Sequence, residues 1–317
     1  MKAKTIELVP YNSDWPRMFE SEAQSIRQAL EDNCLAIYHV GSTSVPGLCA
    51  KPKIDILAVV KDTKGIREGL EAIGLTYRGE YNIPFHHGFS KREGEVAVNL
   101  HVYQEGHPEI DLNLLFRDYL RVHEDDRKAY GELKEKLVQD ETSFEKRDSA
   151  FTQYTLRKGN FIRQILKEAG FNRLRFLKCN DNTEWNAAKH FRQTYFFDNV
   201  PMADPYTWTF NHPDHVHFVL YQGVEIIGYA HIQLWPAARA ALRIIVIEEE
   251  KRQQGFGGHF LKMLEKWLKV QGYKSLHTEA SPDAYLFYKK FKYTEMPFDD
   301  PDNHPTDPRD IPIGKHL

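Results

Sequence analysis

Within residues 15–33 the apolar positions fall at Phe19, Ala23, Ile26 and Leu30, a spacing of three to four that predicts an amphipathic helix. The period then changes. Residues 36–40 and 54–60 are β-branched and apolar, and the stretch Gly41-Ser42-Thr43-Ser44-Val45-Pro46-Gly47 between them continues neither strand nor helix, so two strands joined by a loop are expected. A third strand is predicted at 96–103, helices near 110–124 and 126–137, and a further helix over 150–169 that ends at Gly170 as a left-handed cap. After Gly170 the pattern restarts. A strand is expected at 174–178, a helix at 183–195, and two strands at 216–221 and 224–234 with Gln222 and Gly223 as their hairpin turn. A strand at 240–247, a helix at 255–271, a strand at 275–280, a helix at 283–290 and a final strand from Tyr293 complete the pattern. Residues 299–310, rich in Asp and Pro, read as a surface extension. The two halves do not resemble one another, which predicts two α+β domains, placed at 1–171 and 172–317.

Composition narrows the function classes. With 41% hydrophobic and 27% charged residues, the chain has the mixture of a soluble globular protein, and no run of roughly 18 apolar residues offers a membrane span. A net charge of −3 supplies no global positive field for nucleic acid or anionic lipid. Cys34, Cys49 and Cys179 are odd in number and lack paired metal or redox spacings, so they read as reduced thiols. A cytoplasmic location is expected, with neither membrane nor nucleic acid as partner.

The most informative chemistry lies in Arg252-Gln253-Gln254-Gly255-Phe256-Gly257-Gly258, between an apolar strand and an amphipathic helix. Backbone amides at a helix start can converge on an anion, and glycine at Gly255 and Gly257 lets a phosphate approach them. The flanking sequence resembles the GNAT acetyltransferase family. Arg252, Gly255 and Gly257 stand at the positions of that family's Arg/Gln-x-x-Gly-x-Gly/Ala loop. Ala284-Tyr285-Leu286-Phe287-Tyr288-Lys289-Lys290-Phe291-Lys292-Tyr293 is similar to its Ala-x-x-Phe-Tyr-x-Lys-x-Gly-Phe/Tyr segment, with Lys292 in place of Gly. Ser281 stands where many members carry Asn. The resemblance implies a mixed β-sheet flanked by helices and acetyl-CoA as cofactor, its pyrophosphate on residues 253–258 and its pantetheine beside Ile245, Val246 and Ile247. It also implies Tyr288 as the acid that protonates the departing thiolate. Attack needs a neutral amine, and Glu279 is the first candidate base and His231 the second, with water-mediated transfer as the alternative.

In the N-terminal half, the Val9-to-Trp15 segment, His39-Val40-Gly41-Ser42-Thr43-Ser44-Val45-Pro46-Gly47-Leu48 and Lys51-Pro52-Lys53-Ile54-Asp55-Ile56 resemble the GrpB-like (UPF0157) family, and the likeness runs on through Lys158-Gly159-Asn160-Phe161. That resemblance implies a nucleotidyltransferase-like mixed sheet with helices. Metal-dependent nucleotidyl transfer needs two or three converging carboxylates. Here Asp55 is followed two residues on by Leu57, not by an acid. Asp55 with His101 around a metal is one arrangement; a metal-free phosphate or nucleotide pocket of Gly41, Ser42, Lys51, Lys53 and Arg117 is the other, and the charge balance favours it, so no metal is assigned. His86 and His87 are expected in a loop or at the surface, and 116–121 as a solvated helix face with internal ion pairs.

These residues lead to an acetyl-CoA-dependent N-acetyltransferase acting on an amine, with an N-terminal domain for ligand binding or substrate selection. A nucleotidyltransferase with a CoA-sensing second half, and a non-enzymatic CoA- or nucleotide-binding module, are the alternatives. The carboxylates Glu184, Asp198, Asp204 and Asp214 would suit a cationic acceptor.

Overall fold

The computed structural model describes residues 7–146, 151–198, 204–304 and 307–317. The chain divides into two compact units, Met1–Arg175 and Phe176–Leu317. Both are α+β.

In the first unit, α1 (Trp15–Leu30) buries Trp15, Phe19, Ala23, Ile26 and Leu30, the stripe that the spacing predicts. That stripe packs on one face of a five-stranded sheet, ordered β1 (Cys34–Val40), β2 (Lys53–Val60), β5 (Ala97–Gln104), β4 (His87–Lys91) and β3 (Thr76–Gly79). β2 and β5 are parallel; the other neighbours are antiparallel. The opposite face of β2 and β5 carries Asp55, Leu57, Asn99 and His101, because Asp55 pairs with Asn99 and Leu57 with His101. Ile110 of α3 (Pro108–Val122) packs on that face, and α4 (Glu124–Gln139) follows.

The hydrophobic pattern misses α2 (Ile66–Ala72), β3 and β4, so the strand expected as third is fifth. Short, half-exposed segments such as Thr76–Gly79 carry too few apolar positions to show a period. The helix expected over 150–169 is two helices, α5 (Gln153–Leu156) and α6 (Gly159–Glu168), and position 150 lies outside the described residues. Gly170 does end α6 in the left-handed region, with its amide on Lys167 and that of Phe171 on Leu166.

The second unit is built on a seven-stranded sheet. Its order is β11 (Thr294–Glu295), β12 (Ile311–His316), β10 (Ser275–Ala280), β9 (Arg239–Ile247), β8 (Glu225–Trp235), β7 (His215–Gln222) and β6 (Leu174–Lys178). α8 (Phe256–Val270) covers the face that carries Phe218, with Trp267 and Phe218 ring centroids 5.0 Å apart. α7 (Asn182–Arg192) covers the other, where Ala188 and Phe191 pack on Tyr229 and Val246. The strand expected from Tyr293 is only the two-residue β11, and Ile311–His316 is an unexpected strand between β11 and β10. Pro312 and Gly314 hide it from a propensity reading.

Candidate functional site

Two features of β9 shape the site in the second unit. β9 pairs in parallel with β10 only at Arg239, Ala240 and Ala241, opposite Ser275, Leu276 and His277. Beyond that point the strands part, and the Thr278 hydroxyl donates to the Leu242 carbonyl at 2.9 Å. On its other side, β9 pairs with β8 through a bulge: His231 opposes Ile244 and Ile232 opposes Leu242, leaving Arg243 as the extra residue. The β10-facing edge around Ile244, Ile245, Val246 and Ile247 therefore has no strand partner among the described residues.

At the end of β9 the chain turns into α8 (residues 248–256). Gly255 is its N-cap, in the left-handed region at φ 84°, and Gln253 also has positive φ. The amides of Gln253, Gln254, Gly255, Phe256, Gly257 and Gly258 have no acceptor among the described residues, whereas that of His259 donates to Gly255. Arg252 Nε donates to the Ile247 carbonyl at 3.0 Å, and its guanidinium lies 4.9 Å from the Tyr195 ring, which ties the loop to the strand end. Gly257 and Gly258 differ in kind. A Cβ at Gly258 would meet Phe291 Cζ at 2.3 Å, so packing requires glycine there; one at Gly257 would make only ordinary contacts, at 3.6 Å from Ile247 and Phe287.

α9 (Pro282–Lys290) starts after Ser281, whose side chain makes no capping bond, and buries Tyr288. Tyr288 stands beside Thr278, where β9 and β10 diverge; burial pushes its phenol up to about 12, so it holds its proton at neutral pH. Lys292, replacing the family's Gly, adopts φ 68°, the left-handed conformation that glycine accommodates best. Glu279 points to the opposite face from Thr278. It is half-buried, and burial raises its carboxyl above the ordinary value although Arg243 opposes this.

That face also carries a buried imidazole cluster. Arg192 bonds Asp204 through Nε at 2.5 Å and Nη2 at 2.9 Å, and its Nη1 reaches Tyr229 Oη and His231 Nδ1, both at 3.4 Å. His231 Nε2 is 2.7 Å from His215 Nδ1. His217 bonds Tyr229 Oη at 2.6 Å and the Thr209 carbonyl at 3.1 Å. Burial, with His217 and Arg192 next to it, drives the His231 pKa far down. Its two ring nitrogens are both engaged. A cavity of about 230 Å³ opens here, lined among others by Arg192, Tyr206, His215, His231, Arg243 and Ile244. Asp300, Asp302 and His304 lie close together, but Arg243 neutralises Asp300 and the Gln233 amide bonds Asp302.

The acidic set expected to attract a cation is otherwise occupied. Glu184 completes the capping box of α7, Asp204 serves Arg192, Asp198 accepts from Gln193, and Asp214 is solvent-exposed.

In the first unit, the Asp55 carboxylate fills the space beside Gly41: a Cβ there would lie 2.5 Å from Asp55 Oδ2, and φ is 70°. Asn99 Nδ2 donates to Asp55 at 3.0 Å, and Lys53 Nζ is 3.5 Å away. Four lysines, Lys51, Lys53, Lys134 and Lys158, lie within electrostatic reach of one another here, with Asp55 beside three of them and Glu135 beside Lys134. Lys51 and Lys158 lie 4.0 and 4.6 Å from the Tyr154 ring centroid, and Lys134 Nζ donates to the Cys49 carbonyl. Burial and mutual repulsion lower Lys51 to about 8 and Lys158 to about 7; burial lowers Lys134 to about 8. Ser42 bonds Tyr130. Sequence reasoning missed Lys134 and Lys158, although Lys158 heads one of the family-like segments. Arg117 is committed to Asp118 and to the His39 carbonyl, and Arg121 to that of Ser44, so helix 108–122 clamps the loop as well as carrying the expected internal pairs. His101 Nδ1 meets His86 Nε2 at 3.0 Å. His86 stands in the loop before β4, as expected of it, but away from the surface: it is 2% exposed, held between His101, Tyr81 and Tyr103, while His87 opens β4.

Residues 5–168 match the GrpB protein family, and residues 183–293 match the Acetyltransferase (GNAT) family. The UPF0157 protein BH1888 of Halalkalibacterium halodurans is 40% identical over 168 residues, covering 52% of this chain and 83% of that protein. The crystal structure of conserved protein GrpB from Enterococcus faecalis is 35% identical and covers 51% of this chain and 96% of that one, with a TM-score of 0.45. A GNAT-family acetyltransferase from Staphylococcus aureus Mu50 is 16% identical over 46% of this chain and 99% of its own, with a TM-score of 0.38. With the GrpB match spanning just over half of its length, this chain belongs to the GrpB family and carries, C-terminal to that region, a domain of the GNAT acetyltransferase family.

Proposed function

We propose that the protein is an N-acetyltransferase that uses acetyl-CoA to acetylate an amine, in the cytoplasm, where its three free cysteines remain reduced. The observation that carries this reading is the pairing of an open β9 edge with the acceptor-free amides of 253–258, two groups of unmet backbone hydrogen-bonding capacity that fit the amides of pantetheine and a pyrophosphate. Acetyl-CoA, when bound, supplies an acyl group already activated as a thioester. The chain's own residues then have to orient the amine and manage two protons. Tyr288 Oη, protonated at neutral pH, stands on the α8 side of the fork and is the proton donor to the leaving sulfur. Glu279, on the other face, takes the amine's proton directly or through water; His231, with both nitrogens engaged, serves to orient its neighbours.

The first unit, in this reading, binds a phosphate-bearing ligand and transfers no nucleotide, since Lys51, Lys53 and Lys158 outnumber the carboxylate of Asp55 and Leu57 stands where a second strand-borne acid would be. Tyr288→Phe tests the assignment of the acid. Turnover should fall roughly 100-fold, the scale of general acid catalysis, while CoA affinity stays within twofold. Equal turnover would return Tyr288 to a packing role.

A further inference from the structure

The polarity of the buried network around Arg192 determines what it presents to the cavity. A guanidinium can only donate, so Arg192 Nη1, facing His231 Nδ1 at 3.4 Å, requires that nitrogen to be without a hydrogen. Neutral His231 then carries its proton on Nε2 and donates it to His215 Nδ1, 2.7 Å away. Neutral His215 must in turn carry its proton on Nε2. That atom is buried and has no hydrogen-bond partner, and His215 lines the cavity. The second imidazole chain agrees. His217 Nε2 faces the Thr209 carbonyl and so donates, leaving Nδ1 to accept from Tyr229 Oη, which itself accepts from Arg192.

Every bond therefore runs outward from Arg192, and the series ends in a donor instead of a base. A buried donor without a partner costs about 1–3 kcal/mol; Nε2 exposes no surface in the free protein, so a ligand oxygen recovers that cost once the side chains over it give way. Across the same cavity, Arg243 commits Nε and Nη2 to Gln233, Asp300 and His304, while its Nη1 has no acceptor among the described residues. Ile244, on the open strand edge, completes the wall, so the cavity adjoins the place where acetyl transfer would occur.

We propose that this cavity selects an amine acceptor bearing a carboxylate, an amino-acid-like molecule whose carboxylate accepts the His215 Nε2 hydrogen and those of Arg243 Nη1. This rests on the acetyl-transfer reading above and deepens it. It also reverses the expectation of a cationic acceptor drawn from the acidic residues.

The test compares matched amines on the full chain by thiol release: amino acids, their carboxamides and their decarboxylated amines, across aromatic, aliphatic and polar side chains. The amino acid of the best series should exceed its decarboxylated amine roughly 10- to 100-fold in kcat/KM, the worth of one hydrogen bond to a charged group. His215→Phe should remove that preference and leave CoA affinity within twofold. His215→Gln, whose amide nitrogen stands near the position of Nε2, should restore most of it. Decarboxylated amines turned over as well as their parents would overturn the proposal while leaving acetyl transfer intact. So would carboxamides preferred over acids, which would assign the donors to a neutral oxygen. If no amine is acetylated, the transfer reading fails by itself, and calorimetry with N-acetyl amino acids then decides: binding lost in His215→Phe supports the carboxylate site, and no binding at millimolar concentration overturns it.

Discussion

Gly257→Glu separates what the α8 loop contributes to folding from what it contributes to binding. A side chain at this position meets Ile247 and Phe287 at ordinary contact distance, so the fold admits it. Replacing a helical glycine removes a conformational cost of about 0.5–1 kcal/mol, and a carboxylate in the first turn gains a further ~0.3–1 kcal/mol from the helix dipole. The free protein should therefore be as stable as the parent, or about 1 kcal/mol more so. Binding should move the other way. A carboxylate at about 5 Å from a pyrophosphate charge repels it by about 3 kcal/mol at an effective dielectric near 20, and screening at this partly exposed loop halves that. The net loss of ~1.5–3 kcal/mol corresponds to a roughly 10- to 100-fold weaker Kd for CoA. Calorimetry reads the affinity and thermal melting the stability. Unchanged CoA affinity in a folded Gly257→Glu protein would refute the assignment of the cradle. Gly258→Ala is the complementary control, because its Cβ would collide with Phe291; it should cost about 1–3 kcal/mol of stability by overpacking.

Arg192→Met should destabilise the second unit by about 3–5 kcal/mol in denaturant titration, because the buried Asp204 is left without its partner; a change below 1 kcal/mol would show that the network can reorganise. Lys158, lowered to about 7, makes the first unit pH-sensitive. From pH 7 toward the ordinary lysine value the unfolded chain holds the proton that the folded one has released, so stability should rise with pH through that window and Lys158→Met should flatten the rise. Tripolyphosphate, which favours the charged lysines, should bind at pH 8 with proton uptake, measurable as a buffer-dependent enthalpy; binding without proton uptake would contradict the lysine site.

The sequence revealed those parts whose physics is local. The stripe of α1, the buried strands β2 and β5, and the glycine loop before α8 announce themselves through period or residue type. β3, β4 and β12 do not, being short or interrupted by Gly and Pro and held by their neighbours in the sheet. At the site, Tyr288 and residues 252–258 could be placed from motif spacing. The donor chain of Arg192, His231 and His215 could not, since it joins residues from α7, β8 and β7, and its direction depends on which nitrogen faces which partner. Lys134 and Lys158 were hidden for the same reason: helices α4 and α6 bring them to Lys51 from more than 80 residues away in one case and 100 in the other.

Hydrogen exchange of the full chain with and without acetyl-CoA tests the central claim most directly, because it needs no knowledge of the acceptor. Slowed amide exchange should appear in residues 253–258 and at those amides of 244–247 that face away from β8, where backbone donors lack partners among the described residues. Acetyl-CoA that binds without protecting these two segments, or that does not bind at all, would contradict it.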